Sequence, residues 1–338
     1  MRHLLPLQYI DAVARAGSIR KAAETLAITS TALNRRILTM EEDLGVQIFE
    51  RFPRGVRLSA AGEILIHHIR NQIVDIERVR SHIADLSGER RGHVTIACSQ
   101  ALIPYLLPEQ ISAYRKQHPA VTFQVLVRDR AAAEQALVDL SADLALVFEP
   151  VRLTEFQTLL TIVQPVHVVM RADHALAGQA SVRLRDCLRY PIALPTAAYG
   201  VRHLLELAIR RSSLELNPVL ESDSFEFLRH YAPEEDILSF QLPIGLPPDG
   251  LDLGSVDRPL DARDVPPGYL YFGQLKNRTL PVAAAKFAQQ LQETFISRFE
   301  PPALLSTTQP MTLTRPICPT SKTPTTPIAR YPTPTSSP

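Results

Sequence analysis

Along the amino-terminal quarter of the chain, apolar positions recur with the 3.6-residue period of helices, and glycines break the pattern at intervals. Leu5, Tyr9, Ile10 and Val13 share one helical face; Gly17-Ser18 stops that helix, and Ser18 caps the next. There the small residues Ala22 and Ala23, with Leu26, make a narrow inner face that lets two helices approach closely. Thr29 is placed to cap a third helix over residues 30–44. Leu33, Ile37 and Met40 point inward on it, Leu44 closes the stripe, and Gly45 ends the helix. Left over on its outward face, near the start, are Ser30, Thr31, Asn34 and Arg35. Two short alternating runs around Pro53-Arg54-Gly55 then predict a hairpin with arginines at its tip, Arg51 and Arg54 among them.

Helix, turn, helix and hairpin wing are the parts of a DNA reader. The first turns of a recognition helix enter the major groove, where Asn pairs with adenine and Arg with guanine, and short hydroxyls touch base edges or phosphates. A cationic wing tip suits phosphates or the minor groove. The plain alternative is a solvated helix face, and the glycine and small-residue punctuation on both sides weighs against it. The candidate DNA-binding residues are therefore Ser18, Thr29, Ser30, Thr31, Asn34, Arg35, Arg51 and Arg54.

Ser59 caps a long helix over residues 60–86 that contains no proline. Leu65, Ile69, Ile76, Val79, Ile83 and Leu86 form a heptad seam interrupted by Gln72, a polar residue suited to fixing register. One helix cannot bury such a seam alone. Self-association into a dimer solves this and would set two recognition helices on successive major-groove faces; packing onto its own domain is the other solution. His67 and His68 read as flanking residues, with no further ligands nearby to hold a metal.

A polar hinge at residues 88–92 precedes a second module. Strands are predicted at residues 93–98, 121–127 and 143–148, with helices at 102–117 and 131–140 between them, an order that implies a parallel sheet. A further half follows, with strands at 166–170, 191–194, 219–222 and 237–240 and helices at 181–188, 201–212 and 224–231. A strand at 268–272 and a helix at 281–299 complete it, while 243–267 reads as a long irregular connection. From Pro301 onward proline, threonine and serine dominate without periodicity, so a disordered tail with no assigned function is expected.

The amino-terminal residues strongly resemble the LysR-type transcriptional regulators. The resemblance is carried by Gly17-Ser18, Ala22-Ala23, Thr29 to Leu33, Met40 to Gly45, Ile48 to Arg51 and Gly55 to Gly62. Thr31 stands where the family usually has proline and Asn34 where it has serine, so base preference is expected to differ. The resemblance implies a paired linker helix, assembly into dimers or tetramers, promoter contact with RNA polymerase, and a two-lobed, periplasmic-binding-protein-like α/β effector domain. The implied division is a winged helix-turn-helix at 1–59, a linker and dimerisation helix at 60–87, an effector domain at 88–298 and a tail at 299–338.

A ligand would lie between the lobes, beyond the carboxyl ends of the strands. The candidates are Ser99, Gln100, Ala101, Phe148, Thr196, Tyr199 and Arg202, with His203 beside the last. Ser99, with the backbone amides after it, could hold a carboxylate or a hydroxyl group, or simply cap the following helix, and Tyr199 could be wall packing. Where the family commonly shows Val-Ala-x-Gly-x-Gly-Ile, this chain has Tyr231-Ala-Pro-Glu-Glu-Asp-Ile237, losing both glycines and gaining three carboxylates. These read as a solvated turn. Near the cleft they would repel an anion, so the effector's identity stays open between a small organic acid and a neutral molecule.

The net charge of +1 over 338 residues argues against a generic polyanion binder, so DNA contact must be local. It concentrates in Arg20, Lys21, Arg35, Arg36, Arg51, Arg54 and Arg57, offset by Glu41, Glu42 and Asp43 at the far end of the third helix. Cys98, Cys187 and Cys318 match no metal or redox spacing and imply ordinary packing in a reducing compartment, a thiol sensor being the minor alternative. No secretory apolar region precedes the first helix, and no apolar run approaches the roughly 20 residues of a membrane span, which points to a cytoplasmic protein. There is no Gly-x-Ser-x-Gly elbow, phosphate loop or ligand-spaced metal cluster, so neither an enzyme nor a cofactor is expected. The reading is a regulator that binds double-stranded DNA and is controlled by a small-molecule effector. The alternative is an architectural DNA-binding protein without a ligand, against which the large second module argues.

Overall fold

The computed structural model describes residues 5–86, 91–210, 214–248, 250–251 and 254–299. Its amino-terminal module comprises α1 (Leu5–Ala16), α2 (Ile19–Thr25), α3 (Ser30–Leu44), an antiparallel hairpin of β1 (Phe49–Phe52) and β2 (Gly55–Leu58), and α4 (Ala60–Leu86). The expected caps form. Ser18 Oγ accepts from Lys21 N at 3.4 Å, Thr29 Oγ1 accepts from Ala32 N at 3.2 Å, and Gly45 ends α3 at φ 68°. Tyr9, Ile10, Val13, Ala22, Leu33 and Ile37 are buried together.

Leu44 does not close the inner stripe, being 49% exposed. Glu41 turns inward in its place, and its Oε1 accepts from Ile48 N at 2.8 Å and Phe49 N at 3.0 Å. Two backbone donors offset the desolvation of the carboxylate, and the pair ties the end of α3 to the start of the wing.

The heptad seam is also corrected. Ser59 Oγ accepts from Gly62 N at 3.0 Å and donates to Gln47 O at 2.6 Å, so α4 starts locked to the wing. The first turns of α4 then serve as a further helix of the DNA-binding module: Ile66 and Ile69 lie in its core, with Leu65 packed against them. Arg70 Nε donates to Asp11 Oδ1 at 2.7 Å, closing α4 onto α1. Leu65 and Ile69 therefore do not form a free seam, because their own domain covers them. Ile76 is half-buried; Val79 and Ile83 remain exposed, at 49% and 62%. The side chain of Leu86 and residues 87–90 of the hinge lie outside the described residues.

The second module holds two five-stranded sheets. The first has the order β4-β3-β5-β12-β6, from β3 (Gly92–Cys98), β4 (Val121–Val127), β5 (Leu144–Phe148), β6 (Phe156–Gln164) and β12 (Gly268–Leu275). In the second, β11-β7-β10-β8-β9, the strands are β7 (His167–Arg171), β8 (Ile192–Pro195), β9 (Leu220–Ser222), β10 (Leu238–Gln241) and β11 (Ser255–Pro259). The helices are α5 (Leu106–Gln117), α6 (Arg130–Val138), α7 (Leu184–Cys187), α8 (Gly200–Ile209), α9 (Phe225–Glu234) and α10 (Val282–Phe299). Phe287, Leu291 and Phe295 of α10 are fully buried in the larger core.

Neither sheet is purely parallel. In the first, β12 runs antiparallel to β5 and β6; in the second, β7 runs antiparallel to β10 and β11. Two strands are additional to those predicted: β6, in a segment without an assignment, and β11, inside the stretch expected to be irregular. Both are edge strands without a regular alternation of buried and exposed positions, β11 being half-buried throughout and β6 irregular. The helix expected from residue 102 begins at Leu106, after a 3-10 turn at Gln100–Leu102, and the helix expected at 181–188 shrinks to α7. Ser99 occupies the capping position of the 3-10 turn without a side-chain cap bond.

The chain passes between the sheets twice, at residues 165–166 and 260–267, so two crossovers join the lobes. Glu234, Glu235 and Asp236 are exposed, as a solvated turn requires. Asp236 adopts φ 55° and Ile237 N donates to Ala232 O at 2.8 Å, so the turn keeps a left-handed residue without glycine, a conformation that Asp tolerates. The Pro/Thr/Ser-rich tail, residues 300–338, lies outside the described residues.

Replacing Glu41 with Ala removes the acceptor of two buried amides and is expected to destabilise the amino-terminal module by about 1–3 kcal/mol, with Glu41→Gln losing less. Urea unfolding followed by circular dichroism checks this, and equal midpoints for the wild type and the alanine variant would refute the tie.

Candidate nucleic-acid interface and interlobe cleft

Ser30, Thr31 and Arg35 are exposed on the first turns of α3, as expected. Asn34 is half-buried rather than fully outward, and its Oδ1 is enclosed without a hydrogen-bond partner among the described residues. Arg36 is held back: Nη1 donates to the Tyr9 hydroxyl at 2.8 Å, and the guanidinium lies 4.8 Å from the centre of that ring. Ser18 and Thr29 already accept backbone amides as caps, which leaves each hydroxyl a proton to donate.

The wing is placed by glycine. Phe49 pairs with Leu58 and Phe52 with Gly55, leaving Pro53-Arg54 as the turn. Val56 N donates to Gly17 O at 2.9 Å, fastening the hairpin to the turn between α1 and α2. A Cβ on Gly55, at φ 145°, would stand 2.4 Å from that same carbonyl oxygen. Gly17 itself sits at φ 60°. Gly55 lets wing and turn come this close, and Gly17 supplies the left-handed backbone of the turn, where a Cβ would meet nothing nearer than Val56 O at 3.9 Å. Arg51 and Arg54 are then exposed, with no hydrogen-bond or ion-pair partner among the described residues, whereas Arg57 lies over the Phe52 ring.

Ser99, Gln100 and Ala101 follow β3 at the junction of the lobes. Gln100 reaches across it: Nε2 donates to the Tyr199 hydroxyl at 3.3 Å and to Asp223 O, and Oε1 accepts from Phe225 N at 3.1 Å. Tyr199 and Phe225 meet edge to face, 5.1 Å between centres. Burial pushes the Tyr199 phenol above its ordinary value, and its hydroxyl serves Gln100 as an acceptor. Phe148 fills the adjoining space, and a Cβ on Gly200 would lie 2.6 Å from Phe148 O. The crevice bounded by Ser99, Phe148, Tyr199 and Gly200 is consequently almost filled by protein.

Beside it lies an open cavity of about 610 Å³, lined by Gln100, Tyr105, Phe225, Arg229 and Gln241 among others. Arg229 also spans the lobes: Nη1 donates to the Tyr105 hydroxyl at 2.6 Å and Nη2 to Glu226 Oε1 at 2.6 Å. Sequence reasoning passed over Tyr105 and Arg229, since neither follows a strand end. Arg202 is corrected: Nε donates to Glu206 at 2.8 Å and Nη1 to Glu221 at 2.9 Å, so its charge is satisfied within its own lobe. Thr196 shapes the loop, its carbonyl accepting from Tyr199 N at 3.1 Å. Burial, then the nearby Arg130 charge, depresses the His203 imidazole.

Cys98 and Cys187 are buried, and burial pushes both thiols up to about 12. Thiolate is the reactive form, so neither is suited to sensing oxidants. Cys318 lies outside the described residues. No group of His, Cys, Asp or Glu among the described residues could hold a metal ion, and no described helix is long and apolar enough to cross a membrane.

The comparisons with known proteins agree with this arrangement. Residues 4–63 match the bacterial regulatory helix-turn-helix protein, lysR family, and residues 87–296 match the LysR substrate binding domain. The chain belongs to the LysR family: it is a DNA-binding transcriptional regulator with an effector-binding domain. A probable nitrogen assimilation transcriptional activator of Synechococcus elongatus is 28% identical over 226 residues, 66% of this chain and 73% of that protein. Among solved structures, a full-length OxyR variant from Pseudomonas aeruginosa matches 87% of this chain and 94% of its own, with TM-score 0.65 and 20% identity. CbnR complexed with its target DNA matches 86% of this chain and 99% of its own, with TM-score 0.58 and 16% identity.

Gly55→Ala is expected to displace the wing through strain of about 1–3 kcal/mol while the second module stays folded. Fluorescence anisotropy on DNA at low salt should show affinity falling roughly tenfold or more. Unchanged affinity would separate the wing from DNA binding.

Proposed function

We propose that this regulator reads double-stranded DNA with Ser30, Thr31, Asn34 and Arg35 at the start of α3, while Arg51 and Arg54 on the wing, with the cap hydroxyls of Ser18 and Thr29, hold phosphates. The observation that carries this is the placement of Arg54: a cation exposed and without a partner among the described residues, at the tip of a hairpin that Gly17 and Gly55 fix against the helix-turn-helix. Arg35 is the strongest base-reading candidate, since it is exposed where Asn34 is half-buried. The proposed division keeps an effector domain at 88–298, a linker ending at 87 and a tail from 299, but carries the DNA-binding module, set at 1–59 from the sequence, into the first turns of α4 as far as Ile69.

Two copies pair through the exposed part of α4, at Val79 and Ile83 with the half-buried Ile76, rather than through Leu65 and Ile69. Pairing supplies two recognition helices for two half-sites, and a further pairing of dimers gives a tetramer. A small molecule entering between the lobes, near Ser99, Gln100, Ala101, Phe148 and Tyr199, biases one arrangement of the assembly over another, and so alters DNA contact and access of RNA polymerase. This is regulation rather than catalysis, carried out where the DNA is, in the cytoplasm.

Arg54→Ala is expected to weaken binding to all DNA sequences alike and to make the dependence of log K on log salt shallower by about 1. An unaltered slope from anisotropy titrations would show that Arg54 meets no phosphate. Val79→Lys places a charge in the proposed pairing face and is expected to shift the sedimentation profile toward monomer at micromolar protein. A profile identical to the wild type would reject that face.

A further inference from the structure

The wing carries an aromatic side chain that the protein itself leaves largely uncovered. Of Tyr9, Phe49 and Phe52, the aromatic residues of the amino-terminal module, the first two are buried, at 8% and 2% exposure, while Phe52 is 49% exposed. Side chains alternate between the two faces of a hairpin, so the register settles where each one points. Phe49 and Arg51, paired with Leu58 and Val56, share the face whose apolar members pack on the module's core. Glu50 and Phe52, paired with Arg57 and Gly55, share the other, outer face. Gly55 has no side chain to set beside Phe52. The diagonal neighbour Arg57 does meet the ring, its guanidinium carbon lying 5.9 Å from the ring centre.

A lone exposed apolar side chain is ordinary on a protein surface. Phe52 differs from that case in its surroundings. Residues 49–58 hold three arginines, Arg51, Arg54 and Arg57, against one carboxylate, Glu50, and all three arginines are exposed. Pro53 stiffens the turn and keeps Phe52 extended, and the bond from Val56 N to Gly17 O holds the hairpin against the helix-turn-helix. The ring is thus carried on a rigid cationic strip, and the partner that such a strip fits is a polyanion with an apolar edge. A DNA strand is of that kind, since its phosphates alternate with deoxyribose rings whose C–H edges are apolar. The minor groove is about 6 Å wide, so a hairpin tip entering it meets a backbone wall on each face. Proteins that enter this groove use phenylalanine and proline against DNA.

We propose that Phe52 is a DNA-contacting residue: from the outer face of the wing its ring packs on the deoxyribose edges of the strand whose phosphate Arg54 holds. This rests on the reading of the wing as a DNA contact and adds to it an apolar contact that reads no base. Phe52-Pro53-Arg54 lies between the two stretches that carry the family resemblance, Ile48 to Arg51 and Gly55 to Gly62, so the contact belongs to this chain rather than to the shared pattern. Covering an apolar ring releases no counterion, so the affinity it adds is not weakened by salt, in contrast to that of the arginines around it.

The test uses the full chain, a duplex selected by the wild-type protein from a random pool, and an unrelated duplex of equal length. Affinity is read by anisotropy over a series of salt concentrations. Phe52→Ser is expected to bind both duplexes about tenfold more weakly at every salt concentration, with the slope of log K against log salt unchanged. Phe52→Leu keeps an apolar side chain and should retain most of the affinity. Phe52→Gln is measured in the same way and takes the place of the serine variant if that one does not fold. Arg57→Ala, run alongside, gives the change of slope due to that cation. A Phe52→Ser loss accompanied by the same shallower slope as Arg57→Ala would mean that the ring only holds Arg57 in place, and would overturn the contact. Unchanged affinity, a leucine variant as weak as the serine one, or a loss confined to the selected duplex would overturn it too. Failure of the DNA-binding reading itself would look different, as wild-type protein without affinity for either duplex at low salt.

Discussion

Burial of Ile66 and Ile69 decides what the rest of the molecule can do, because it makes the opening turns of α4 part of the DNA-binding core. The helix is thereby fixed at one end by packing, by the Ser59 cap and by the Arg70–Asp11 pair, which is 13% and 14% exposed and so better shielded than a surface ion pair. Further along, Val79 and Ile83 are left uncovered by the chain itself. On the proposed pairing through α4, a rod rooted in a DNA reader carries a change of pairing geometry to the recognition helix.

The same economy of contact shapes the reading head. Glu41 joins α3 to the wing, Gly17 and Gly55 join the wing to the turn before α2, and Gly62 lets α4 approach the backbone of Ile48. These ties involve backbone atoms, so the positions of α3 and Arg54 are set by hydrogen bonds and close approach more than by the bulk of the small core. The exposed side chains are then free to vary with the DNA sequence without disturbing the frame.

Much of this was legible in the sequence. Glycines and hydroxyl caps punctuate the first three helices so sharply that their limits follow from residue type alone, and the βα alternation exposes both lobes. Other features were hidden for physical reasons. Glu41 looks like a surface charge until the two amides that need it are seen, and the heptad from Leu65 does not reveal which of its members the domain itself will cover. The edge strands β6 and β11 carry too little burial to imprint an alternation. At the cleft, strand ends pointed to Ser99, Gln100 and Tyr199, but Tyr105 and Arg229 depend on which side chains the folded lobes bring together, a tertiary fact with no local signature.

The two crossovers between the lobes, at residues 165–166 and 260–267, also govern how the second module can move. A single tether would let one half swivel freely about it. A pair of them acts as the spine of a book: the covers can part or shut about one line, while sliding and twisting are resisted by β6 and β12, which are hydrogen-bonded to each other within the first sheet. Whatever enters between the lobes therefore has one mechanical outlet, a change in the angle of opening.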